Sequence, residues 1–275
     1  LFYPEKWIFQ RHQLSGCDPR QGGIGNMVNC GAAMYIAPIG VVNACDPRAA
    51  YEEAIAFASG HQQSYGLEAA GVLAATVAAA FIPGTHIDAV VDIAYELAKD
   101  GTRDAIGAIA GTAKDLRTRD ADHAEVVKAF HEAIVPFSPL GDDLDHTAAK
   151  AGRPTHNYQP SRFHSIEELP LALGFALVAN GDFRRAVEDG VNSGRDTDSI
   201  GVMAGAILGA MHGEAVIDAG EAEQIDTINR LDLAGEADRF AATCNAIMSA
   251  DEKRLQALAA QRAAIFGTPI AAAQN

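Results

Sequence analysis

The sequence predicts an all-α protein, a compact multi-helix bundle, and three observations lead there. Alanine is abundant while aromatic residues make up only 7%, a composition that suits close-packed helices better than sheet. From residue 46 onward, segments with apolar residues at helical spacing follow one another across short joints. Strand-like alternation is absent, and so is a repeat of roughly 20–50 residues, which disfavours α/β layering and solenoids.

Taken in order, residues 1–45 read as irregular, with glycine and proline clustered in "DPRQGGIGN" ahead of an apolar piece, "GAAMYIAPIGVVNA". "DPRAAYEEAIAFASG" then opens a helix, with Asp46 as N-cap and Pro47 at its first position. "LEAAGVLAATVAAAFIPG" is apolar nearly all round, the mark of a buried central helix, and should stop at Pro83-Gly84. Three amphipathic helices follow: "THIDAVVDIAYELAKDG", "RDAIGAIAGTAKDL" and "DHAEVVKAFHEAIV". Residues 137–165 form the longest non-periodic stretch, and a loop of that length often serves a site, for instance as a lid. Its Arg153, His156, Tyr158 and Arg162 suit it to approach an anion that the acidic body repels. Helices are expected again over 166–179, 182–192 and 197–212, then through a polar C-terminal third to about residue 265.

The chain of 275 residues is read as one domain over 1–275, long enough for a sizeable core. A net charge of −15 repels phosphate backbones, so no nucleic-acid partner is expected. The apolar stretches near 69–82 and 200–211 are shorter than the roughly 18 residues of a membrane span, so no membrane is expected either. Cys17, Cys30, Cys45 and Cys244 show no metal-finger spacing and read as reduced thiols of a cytoplasmic protein. Leu1 stands where an initiator Met would, and the start has no signal-peptide pattern.

Chemistry concentrates in "SGRDTDSIGVMAGAILGAMHG", residues 193–213. Gly201, Gly205, Gly209 and Gly213 recur every four residues, which keeps them near one side of a helix and predicts a rail for close packing. Asp196 and Asp198 converge only if Asp196 lies in the turn before the helix, with Asp198 and Ser199 in its first turn. Such acidic groups either cap the helix or hold a metal ion. As a metal site, all-oxygen ligands imply a hard cation such as Mg²⁺, Mn²⁺ or Ca²⁺. An EF-hand is excluded, since Ile207 stands where its terminal Glu would be.

These residues carry a resemblance. "GRDTDSIGVMAGAILGA" resembles the C-terminal signature of the ADP-ribosylglycohydrolase family, G-[GR]-D-x-D-[TS]-I followed by a small-residue helix. "QGGIGNMVNCGAAMYIAPIG" is similar to the family's glycine-rich segment, and "SGHQQSYGLEAAGVLAATVAAAF" to its His followed by an Ala-rich helix. "LPLALGFALVANGDFRRAVEDGVNSG" is similar to the usual lead-in to the D-x-D. The four segments stand in the family's order and cover most of residues 20–213.

The resemblance implies an all-α hydrolase that uses two Mg²⁺ or Mn²⁺ ions to cleave the bond at the anomeric carbon of an ADP-ribosyl or related ribosyl group. It carries the metal-ligand role to Asp196, Asp198 and Ser199. It assigns Gly23, Ile24, Gly25 and Asn26 to the loop around ribose and diphosphate, and His61 to substrate contact. On the residues alone, the glycine loop is either a turn or a set of N–H groups that cradle phosphate oxygens, and His61 is equally a helix C-cap.

Three departures stand out. "MVNC" looks inserted, so Asn29 competes with Asn26 for the family's Asn, and Tyr35 stands where many members have Arg. The family's N-terminal T-D-D ligands and acidic catalytic residue have no counterpart before residue 20, so an upstream segment or companion chain is expected to complete the site. "LGDDLDH", with Asp142 and Asp143, has the right atoms in the wrong order and reads as a solvated loop or cap. The other readings are a hydrolase of smaller ribosyl nucleosides, a non-catalytic crystallin-like scaffold of the same fold, and an acidic helical interaction protein.

Overall fold

A computed structural model describes residues 3–137 and 166–267, and every regular element among them is helical. The lid expected over 137–165, with Asp142 and Asp143, lies outside the described residues apart from Phe137. The chain divides into two compact units, Leu1–Ile217 and Asp218–Asn275, to be set beside the single domain read from the sequence.

The first unit opens with α1 (Tyr3–Phe9), a π-helical turn and a short 3₁₀ turn, then the brief helices α2 (Gly31–Tyr35) and α3 (Ala37–Val42), where the sequence reads as irregular. Helices α2 and α3 are 5 and 6 residues long, too short to show a helical period. Next comes α4 (Pro47–Ala58), where Asp46 accepts the Ala49 N–H at 3.0 Å and Pro47 takes the first position, as expected. The central helix is α5 (Tyr65–Ala80), buried from Ala69 to Ala80 and packed by α2, α3 and α4. Its alanines and glycines carry little side chain, so neighbours approach on every side. It ends three residues before Pro83, with Phe81 as its C-cap.

Three amphipathic helices follow, α6 (Ile87–Leu97), α7 (Asp100–Thr118) and α8 (His123–Ile134). A second fully buried helix, α9 (Glu168–Val178), packs on α7. There Phe175 meets Phe130 edge-on, with centroids 5.1 Å apart. Gly174 leaves room for both neighbours, because a Cβ there would lie 2.8 Å from Phe130 Cζ and 2.5 Å from Ile109 Cγ2. The unit closes with α10 (Phe183–Val191) and α11 (Thr197–His212), packed against each other.

The glycine rail on α11 is a correction. A Cβ at Gly201 would stand 2.8 Å from Val191 Cγ2, a tight fit. At Gly205 the nearest atom is at 3.8 Å, and at Gly209 nothing lies within 4 Å. Gly213 is not helical at all but the C-cap, with φ of 73°. Each four-residue step overshoots a turn by about 40°, so successive glycines rotate out of the α10 contact. The face that α11 buries is Ile200, Met203, Ala204, Ile207 and Leu208, against α9 and α5.

The second unit holds α12 (Ala219–Asn229) and the long α13 (Leu233–Phe266). Arg230 joins them in the left-handed region, and Asp232 caps α13 through the Gly235 N–H at 3.1 Å. Among the described residues, no helix is long and apolar enough to cross a membrane.

Candidate functional site

The N-terminus of α11 has the arrangement that the spacing requires. Asp196 sits at the N-cap position, and Asp198 and Ser199 fall in the first turn. Asp196 makes no side-chain capping bond, unlike the capping aspartates of α4, α8 and α10. Its carboxylate turns instead toward other segments. Oδ2 accepts from the Cys30 thiol at 3.4 Å, and the same sulfur lies 3.3 Å from Ser199 Oγ.

One ion pair holds this turn in place. Arg195 points inward and donates from Nε and Nη2 to both carboxylate oxygens of Glu167, at 2.9 and 3.1 Å. The two side chains are only 4% and 6% exposed, so this fork pins the turn to the start of α9. The next residue, Glu168, is 1% exposed and brings a carboxyl group to the same place. Ligand atoms of Cys30, Glu168 and Asp196 all lie within 4.8 Å of one another.

Crowded acidic groups hold protons. Burial pushes the Glu168 carboxyl well above the usual range, and the charge of Asp196 adds to it. Burial likewise raises the Cys30 thiol, reinforced by the charges of Glu168 and Asp196. Asp198, exposed at the rim, is raised first by its hydrogen bond with Asp196. A divalent cation would relieve that pressure. The oxygens of Asp196, Asp198 and Ser199 suit a hard cation such as Mg²⁺ or Mn²⁺, while the Cys30 sulfur does not.

The glycine loop forms the neighbouring half. Gly23 lies so close to the 59–63 turn that a Cβ would stand 2.1 Å from the Gln62 carbonyl oxygen. Gly25 has φ of 83° and leaves room for the Trp7 ring. The loop N–H groups are engaged within the chain: Gly23 with Ser59 O at 3.0 Å, Ile24 with Gln21 O at 3.2 Å, Gly25 with Gln63 Oε1 at 3.1 Å and Asn26 with Gly23 O at 2.9 Å. The reading of free N–H groups that cradle phosphate is therefore not what this loop presents. The docked turn supplies the acceptors for Gly23 and Gly25, and the loop's own carbonyls those for Ile24 and Asn26.

Both candidate asparagines take part in that docking. Asn26, 3% exposed, donates to His61 O at 2.7 Å. Asn29 Oδ1 accepts from Gln62 Nε2 at 2.7 Å and from the Gly31 N–H at 3.0 Å. His61 stacks on Tyr35 with centroids 5.6 Å apart, and its Nδ1 lies 3.0 Å from the Tyr35 hydroxyl. Its Nε2 faces Glu5 Oε1 at 3.8 Å; burial lowers its pKa and Glu5 opposes that. A Cβ at Gly31 would come 3.2 Å from His61 Cε1. Asn29, Cys30 and Gly31 thus join the two halves, with Cys30 on the Asp196 side and its neighbours on the His61 side.

Sequence reading missed Glu168, the Glu167–Arg195 fork and the role of Cys30. A signal for Glu168 existed: "IEELPLALGFALV" has no polar face, so a helix begun by its glutamates must bury one. Cys30 carried no such signal, because its partners lie more than 160 residues away, at separations of 166 and 169.

The sequence model for ADP-ribosylglycohydrolase matches residues 5–252. The chain is 27% identical over 213 residues to the uncharacterized protein YegU of Escherichia coli (strain K12), a match covering 76% of this chain and 57% of that protein. The chain therefore spans less than two thirds of the length of this curated relative. No solved structure matches it.

Proposed function

The chain belongs to the ADP-ribosylglycohydrolase family, and from that premise we propose that it hydrolyses the glycosidic bond at the anomeric carbon of an ADP-ribosyl group with the help of divalent metal. The observation that carries this reading is the carboxylate of Asp196, which leaves its own helix uncapped and converges with Asp198 and Ser199. In this reading those three residues hold Mg²⁺ or Mn²⁺, and the two ions the family uses draw further ligands from a companion segment. Such an ion, when bound, supplies Lewis acidity to ribose hydroxyls and to a water.

The chain's own residues do the positioning. The Arg195–Glu167 fork fixes the turn that aims Asp196. Docking of Gly23 on Gln62 fixes the turn that carries His61, whose Nδ1 is engaged by the Tyr35 hydroxyl and whose Nε2 faces Glu5. A second reading, hydrolysis of smaller ribosyl nucleosides, is favoured by Tyr35, which lays an aromatic ring on His61 where many members have a guanidinium. A cytoplasmic location goes with either reading and is supported by four free cysteines.

The test is Asp198→Asn, which keeps size and removes a charge. Calorimetric titration with Mn²⁺ should show affinity lowered at least tenfold, with helix content by circular dichroism unchanged. Release of ADP-ribose from an ADP-ribosylated peptide, and of ribose from a nucleoside, separates the two substrate readings. An unaltered Mn²⁺ isotherm would overturn the metal assignment.

A further inference from the structure

We propose that Cys30, Glu168 and Asp196 form a second, mixed sulfur–oxygen site for a borderline divalent cation, of the class of Zn²⁺. Its donor chemistry differs from the all-oxygen set of Asp196, Asp198 and Ser199, with which it shares Asp196. The geometry comes first. In a tetrahedral zinc site with bonds of about 2.3 Å to sulfur and 2.0 Å to oxygen, the sulfur–oxygen edge is about 3.5 Å. Cys30 Sγ already stands 3.4 Å from Asp196 Oδ2 and 3.3 Å from Ser199 Oγ. The Glu168 carboxylate completes a trio of ligand atoms within 4.8 Å of one another.

The surroundings of the thiol point the same way. A buried cysteine with no task behaves as a small hydrophobe and is lined by apolar atoms. Cys30 is 6% exposed and, besides joining the apolar core, faces two carboxyl groups and a hydroxyl. A thiolate and two carboxylates cannot all be charged in so small a space without a cation between them. Thiolate selects Zn²⁺ over Mg²⁺, which keeps its water and takes oxygen donors. Three protein ligands leave a fourth position, for Ser199 Oγ or water, in the pattern of an open zinc site. Because Asp196 is common to both sets, ions in the two sites compete for its carboxylate or share it as a bridge.

This inference does not depend on the glycohydrolase reading, and its test is read on the protein alone. Co²⁺ is titrated into the full chain as a coloured substitute for Zn²⁺. Expected are one equivalent bound, a near-ultraviolet sulfur-to-cobalt charge-transfer band, intense visible bands of a four-coordinate ion, and displacement by Zn²⁺ but not by a hundredfold excess of Mg²⁺. Cys30→Ser should abolish the charge-transfer band, and Glu168→Gln should weaken binding at least tenfold. A variant with Ser in place of Cys17, Cys45 and Cys244 should retain the band, which decides the matter even if Cys30→Ser does not fold. Asp198→Asn, outside the sulfur set, should leave the band in place while weakening Mn²⁺ binding, so failure of one reading is told from failure of the other. Weak six-coordinate bands without charge transfer, or a band that survives Cys30→Ser, would overturn the proposal.

Discussion

Replacing Arg195 with Met tests whether the turn before α11 is held by charge. The guanidinium and the Glu167 carboxylate are 4% and 6% exposed and bonded through two parallel N–H groups at 2.9 and 3.1 Å. Removing one partner of such a pair leaves the other charged and buried, which costs about 3–5 kcal/mol. Here the stranded Glu167 would also sit beside Glu168, whose carboxyl feels its charge already. For a cooperative unit of this size, each kcal/mol moves Tm by roughly 2–4 °C, so Arg195→Met should melt roughly 6–20 °C lower. Glu167→Met should be comparably damaging. The double variant replaces the pair with apolar side chains of similar volume and should lie much nearer wild type than either single one. Thermal and urea unfolding followed by circular dichroism at neutral pH give all three values. Single variants within about 1 °C of wild type, or costs that simply add in the double variant, would refute the reasoning.

Two further outcomes follow from packing and charge. Gly209→Ala adds a methyl group into open space on α11 and should raise stability by about 0.5–1 kcal/mol; Gly201→Ala should give a smaller gain or none, because Val191 Cγ2 stands 2.8 Å from the new atom. Equal melting shifts for the two would show that the α10 contact at Gly201 is not tight. Hydrogen bonding from Arg117 holds the Asp88 carboxyl below its ordinary pKa. A depressed folded-state pKa adds stability that is complete above the unfolded value, about pH 4, and fades as pH falls through the folded one. Asp88→Asn should therefore lower Tm at neutral pH, with the gap to wild type closing below about pH 4. A gap independent of pH would mean that charge plays no part in the contact.

The helices were legible because their causes are local. Asp46 and Pro47 cap α4 within a few residues, and the unbroken apolar run of α5 leaves it no face for water. The placement of Asp196 at the N-cap, with Asp198 and Ser199 in the first turn, was legible for the same reason, since it follows from where the helix begins. Glycine misled in both directions. At Gly201, Gly205, Gly209 and Gly213 the spacing was plain, yet which of them meets a neighbour depends on where α10 lies. At Gly23–Gly25 the loop was plain, yet the acceptors for the Gly23 and Gly25 amides come from the 59–63 turn.

From the sequence alone came the fold class, the helix order from α4 onward and the acidic turn at 196–199, all products of caps and periodicity over a few residues. Tertiary packing alone decided that Cys30 and Glu168 stand beside Asp196 and that Arg195 is forked to Glu167. The physical reason is distance along the chain. Helical periodicity says which face of an element is buried, but a site drawn from residues 30, 168 and 196 depends on how α2, α9 and α11 cross, and no local pattern encodes that crossing.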